Sequence, residues 1–161
     1  MTDVLRSLLA ELVRGGHAHM SFADAVADFP AWAINERAPH VSYTPWHLVE
    51  HLRITQWDML RYIEDPTGHE SPPWPVGYWP DEHATTDLAG FLHSVELFTA
   101  DLQAMERIAL DTSRDLTAVL EGTPGHTALR GLFIIGNHNS YHVGEFASLR
   151  QVMGTWPPGH R

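Results

Sequence analysis

Apolar side chains recur along this chain at helical spacing in four separate stretches, and no stretch shows the alternation of a strand. The first predicted helix runs from about Thr2 to Asp28, with Leu5, Leu8, Leu9, Leu12 and Val13 on one side and Gly15-Gly16 as a point of bending. Pro30 and Pro39 then break helix in "FPAWAINERAPHVSYTP". The second helix opens at Thr44-Pro45, a good cap followed by a residue suited to the first helical position. Leu48, Leu52, Met59 and Ile63 line one side of it, and Pro66 and Gly68 end it. The third spans about Asp87 to Leu110 after Thr86 as cap, with Leu88, Phe91, Leu92, Val95, Phe98, Leu102 and Met105 as its stripe. The fourth runs from about Thr127 to Met153, and Gly154 marks its stop.

Four amphipathic helices predict an all-α fold, a four-helix bundle with long connections, in one domain over residues 1–161. Connections of this length allow crossovers, so the pattern leaves the topology open. The longest, "PTGHESPPWPVGYWPDEHATT", is thick with Pro, Gly and Trp. It reads either as a coat in which Trp74, Tyr78 and Trp79 cover one end of the bundle, or as a lid over a substrate.

Composition narrows the chemistry. The chain has no cysteine, which removes disulfides, thiolate ligands and cysteine nucleophiles together. All ten basic residues are arginine, so Schiff-base chemistry and a P-loop lysine are excluded as well. A formal net charge of -10 repels phosphate backbones and argues against nucleic acid. No apolar run is long enough to span a membrane, and "MTDVLRSLLAELVRGG" does not read as a signal peptide, so a cytoplasmic protein is expected.

The informative excess is 12 histidines. Chance alone supplies about one i,i+4 His pair at that density. His47/His51 and His138/His142 are two such pairs, so counting decides nothing. Placement says more. On the fourth helix, His138 and His142 share a face with Gly131, Ile134, Ile135, Glu145, Phe146 and Leu149, and so interrupt a core-facing stripe. Buried imidazoles need a partner, either hydrogen bonds or a divalent metal. His51, between Leu48 and Leu52, is the natural third ligand, and His47 one turn earlier is a fourth candidate or a rim residue. His17, His19, His40, His69, His83, His126 and His160 read as surface residues, with His93 unassigned. Neither "HNSYH" nor "HLVEH" matches the HExxH metalloprotease pattern. Glu145, seven residues after His138, faces nearly the same way and reads as a residue to orient a ligand His, hold a water or touch the metal weakly, or else as a surface carboxylate near the bundle mouth.

"YTPWHLVEHLRITQWDML" together with "GNHNSYHVGEFASLRQVMG" resembles the DinB-like (YfiT-like) superfamily of metalloenzymes. Members pair a Trp followed five residues later by a ligand His with a late H-x-x-x-H-x-G-[QE] helix ending in Arg and Gly. Trp46 and His51 fit the first part, and His138, His142, Gly144, Glu145, Arg150 and Gly154 fit the second. "WPVGYWP" is similar to the Trp-Pro loop of one branch. The resemblance implies a bundle of unusual topology, often dimeric. It further implies a divalent ion, zinc or nickel, on His51, His138 and His142, with water completing the coordination. His47 falls outside the motif, and Glu145 stands where Gln is common. Characterised relatives are transferases or isomerases dependent on bacillithiol, mycothiol or glutathione. The first expectation is therefore a metal-dependent S-transferase for a small-molecule thiol; Arg53 and Arg150 read first as surface residues and otherwise as groups to steer a carboxylate-bearing thiol. The alternatives are metal-assisted hydrolysis with Glu145 as base, and a non-enzymatic dimeric protein that binds metal or a small ligand.

Overall fold

The computed structural model describes residues 2–159. Among them the chain forms five helices and no strand: α1 (Asp3–Arg14), α2 (Phe22–Val26), α3 (Pro45–Glu64), α4 (Leu88–Leu110) and α5 (Ala128–Met153). Isolated bridges, Gly15 with Ser21 and Val119 with Thr127, are the only extended pairings among the described residues. No helix among the described residues is long and apolar enough to cross a membrane.

The single helix expected over residues 2–28 is two helices. Gly15 and Gly16 have φ of +77° and +93°, a region that L side chains rarely adopt, so the chain turns there instead of bending. The Ser21 side chain then caps α2 through Asp24 N–H. The cap of α4 also differs from expectation. Asp87 accepts from Gly90 N–H, while Thr86 N–H is held by Asn35 Oδ1. The start of α3 and both ends of α5 lie where the sequence placed them, with Thr44 and Thr127 as caps and Gly154 in the left-handed conformation.

The four longer helices pack side by side, α1 and α3 each against both α4 and α5. Side-chain bonds fix their directions. Trp46 reaches Ser94 and Gln56 reaches the Phe98 carbonyl, so α3 and α4 run parallel. Arg6 binds the carbonyls of Ala109 and Arg114 while Arg14 pairs with Glu106, so α1 opposes α4. Parallel α3 and α4 require the segment between them, residues 65–87, to climb back along the whole of α3. That segment touches α3 at His69, Tyr78 and Ala84 in turn. We refer to residues 66–84 as the strap.

Two apolar clusters fill the interior. Phe22, Phe29, Leu48, Leu52, Phe91, Phe98 and Phe146 form one. Leu9, Val13, Leu60, Ile63, Met105, Leu132 and Ile135 form the other. Ile134, assigned to the inner stripe of α5 by spacing, is exposed, as are Leu88 and Leu92 on α4.

Candidate metal centre

Helix α3 begins where it does because Thr44 and His47 cap it reciprocally. His47 N–H donates to Thr44 Oγ1 at 3.2 Å, and Thr44 N–H donates to His47 Nδ1 at 3.3 Å. An Nδ1 that accepts leaves the proton on Nε2, which donates to the Ala84 carbonyl at 2.9 Å. Both ring nitrogens are thus committed, and His47 is a capping residue that also holds the end of the strap. The geometry removes it as a fourth ligand.

One turn further along, His51 is buried between the fully buried Leu48 and Leu52. Its Nδ1 lies 2.7 Å from the Tyr78 carbonyl, which can only accept, so Nδ1 carries the proton and Nε2 keeps its lone pair. The Trp79 ring lies flat on the imidazole, 4.0 Å between centroids and 5° between planes. On α5, His142 Nδ1 donates to Glu145 Oε2 at 2.6 Å, which frees its Nε2 in the same way. The other oxygen of Glu145 takes the Tyr43 hydroxyl. Burial, then the bond and the charge of Glu145, raise the Tyr43 pKa, so this phenol stays a donor.

His138 completes the group. Its Nε2 is 3.2 Å from Nε2 of His51, and its Nδ1 is buried without a hydrogen bond. Burial, followed by the neighbouring His142 and His51, lowers its pKa to about 4. The pKa of His51 is lowered too, chiefly by burial and against the pull of the Tyr78 carbonyl. At neutral pH both imidazoles are therefore neutral, the form that binds metal.

His51, His138 and His142 form a group able to hold a metal ion, with one ligand atom from each lying within 4.8 Å of the others. Two nitrogens each about 2.05 Å from a tetrahedral ion stand about 3.3 Å apart. The His51 and His138 pair is already at that spacing. Two of the three donors have their outer nitrogens fixed by a carbonyl and a carboxylate, the usual way of orienting a ligand imidazole. The donor set is all nitrogen, so it suits zinc or nickel better than magnesium or calcium. Three protein donors leave coordination positions free.

Other sequence assignments are redistributed. Arg53 is paired with Glu50 on its own helix. Arg150 is no surface residue. It is fully buried, donates to the carbonyls of Ala25, Ala27 and Thr155, and lies over Phe29 and Trp156, so it ties α5 to the C-terminal end of α2 and is not free to steer a substrate. His69 is largely buried against Asp58, and His126 is half-buried against Tyr62, so neither is a surface residue. His17, His19, His40, His83 and His93 are exposed. His160 lies outside the described residues. The strap divides: Trp74 is 79% exposed, whereas Tyr78 is buried and Trp79 covers His51. Tyr43 and the Tyr78 carbonyl were missed in the sequence. Tyr43 sits beside the Thr44-Pro45 helix start, but nothing in "YTPW" signals its reach to α5, and a backbone carbonyl has no signature at all. No family model, curated protein or solved structure matches the chain.

Proposed function

We propose that the chain is a DinB-like four-helix-bundle metalloprotein of the cytoplasm that transfers a small-molecule thiol to an electrophile with the help of a divalent ion, zinc or nickel. The observation that carries this reading is the convergence of three imidazoles from α3 and α5, two of them with their outer nitrogens tied back. An ion held there by His51, His138 and His142 would supply Lewis acidity, favouring the deprotonated form of a thiol at its free position.

The remaining work falls to the chain's own residues. Glu145 fixes the His142 tautomer, and Tyr43 holds Glu145 in place. Trp79 and Tyr43, 5.4 Å apart, screen the imidazoles from water and offer an apolar wall to an electrophile. Metal-assisted hydrolysis is the weaker reading. It needs a carboxylate at liberty to take a proton from water, and both oxygens of Glu145 are engaged.

A homodimer is part of the proposal. Val4, Leu5 and Leu8 on α1 and Phe133 and Ile134 on the adjoining α5 are exposed, an apolar side suited to a second copy.

Metal-loaded protein assayed with bacillithiol, mycothiol or glutathione and a haloarene tests the activity. We expect a rate that needs both the ion and a thiol. Turnover without thiol would favour hydrolysis, and the absence of metal-dependent turnover with all three thiols would overturn the transferase reading.

A further inference from the structure

Asp58 lies on α3 seven residues after His51, two turns along nearly the same face. It is buried, and a buried carboxylate is costly unless its oxygens are satisfied. Both are satisfied by the strap. Oδ1 accepts from His69 Nε2 at 2.7 Å, and Oδ2 accepts from the Tyr78 hydroxyl at 2.7 Å. The His69 ring is braced edge-on against Trp57, one residue before Asp58. Burial, and then the Asp58 bond, push the Tyr78 phenol up to about 12, so it remains a donor at any physiological pH.

Tyr78 is therefore gripped at both ends. Its hydroxyl is held by Asp58, and its carbonyl receives the Nδ1 proton of His51. The next residue, Trp79, is the one stacked on the His51 ring. A shift of the strap would move the carbonyl and the indole together, because they belong to adjacent residues.

We propose that Asp58 is a positioning residue for His51: by anchoring His69 and Tyr78 it holds the strap where the Tyr78 carbonyl selects the Nδ1–H tautomer and Trp79 fixes the ring plane, so that Nε2 points at His138. The assignment of Nε2 as a metal donor rests on the three-histidine reading above, whereas the tautomer selection does not. Asp58 touches none of the reacting groups, and it acts only through the strap.

Long-range proton–nitrogen NMR of the imidazoles in metal-free protein at neutral pH tests this, alongside cobalt(II) titration followed by visible absorption. In the parent protein His51 is expected as the Nδ1–H tautomer. Tyr78→Phe keeps the ring and the carbonyl and deletes only the hydroxyl that Asp58 holds. Both Tyr78→Phe and Asp58→Ala are expected to convert His51 to a tautomer mixture and to weaken cobalt(II) binding about tenfold. If Asp58→Ala does not fold, Tyr78→Phe decides. A His51 tautomer unchanged in a folded variant overturns the proposal. A parent protein that binds no cobalt(II), but whose His51 tautomer is lost in Tyr78→Phe, sustains the positioning role and rejects the metal centre instead.

Discussion

Nε2 of His51 and Nε2 of His138 face each other at 3.2 Å across the seam between α3 and α5. The proton on His51 Nδ1 is held by the Tyr78 carbonyl, so the atom that His51 turns toward His138 is a bare lone pair. A divalent ion satisfies both nitrogens at once. Elemental analysis of the purified protein is expected to find about one zinc or nickel per chain. His51→Ala and His138→Ala are each expected to reduce this to a trace, and a full complement in His51→Ala would contradict the site.

The tie between Glu145 and His142 should be visible in affinity. Removing such an outer carboxylate usually costs about 10–100-fold in metal binding. Glu145→Ala is expected to fall in that range by competition with a chromogenic chelator. Glu145→Gln keeps an oxygen for His142 Nδ1–H and is expected to lose much less. Equal losses in the two variants would assign Glu145 a role that depends on its charge.

Acid should destabilise the metal-free protein through His138. Its pKa is about 4 in the fold, against the 6.5 ordinary for a histidine. Below pH 6.5 the unfolded chain takes up a proton there that the folded chain refuses, so the stability tied to this group is complete above 6.5 and is lost as pH falls toward 4. The slope is about 1.4 kcal/mol per pH unit at most, on the order of 3 kcal/mol across the window. His51, lowered in the same direction, adds to the trend. Urea midpoints at pH 7.5, 5.5 and 4.5 should therefore fall, and the fall should be shallower in His138→Gln.

Two glycines of α5 should respond oppositely to alanine. A Cβ at Gly136 would sit 2.9 Å from Leu12 Cγ and 3.2 Å from the Leu12 carbonyl, so Gly136→Ala must push α1 away and is expected to destabilise by about 1–3 kcal/mol. At Gly144 nothing lies within 4 Å, and Gly144→Ala is expected to stabilise by about 1 kcal/mol through helix propensity. Thermal melts of the two variants check both signs.

The apolar side of α1 and α5 gives the last expectation. Leu8→Glu combined with Phe133→Glu should turn a dimer into a monomer in sedimentation, because both side chains are exposed and the fold loses no core contact.

Helix content and the inward placement of His51, His138 and His142 were legible in the sequence because they depend on local spacing. Leu48 and Leu52 flank His51 within one turn, and four residues separate the two histidines of α5. What the pattern did not reveal depends on contacts remote in sequence. The break at Gly15-Gly16 required backbone angles that spacing does not encode. Arg150 reads as a polar end of a helix, yet it is buried because carbonyls from residues 25 and 27 come to meet it. His69 sits in a polar loop and is largely buried because Asp58 waits for it 11 positions back. Tyr43 and Glu145 are neighbours only after folding.

The parallel arrangement of α3 and α4 has an architectural cost and a benefit. A hairpin link would leave the imidazoles open to solvent, whereas a return path the length of α3 lays a length of chain across them. Cover and connectivity are thus one feature. An engineer who shortened the return to widen the entrance would have to turn α4 end for end, and with it Phe91 and Phe98, which share one apolar cluster with Leu48 and Leu52 on either side of His51.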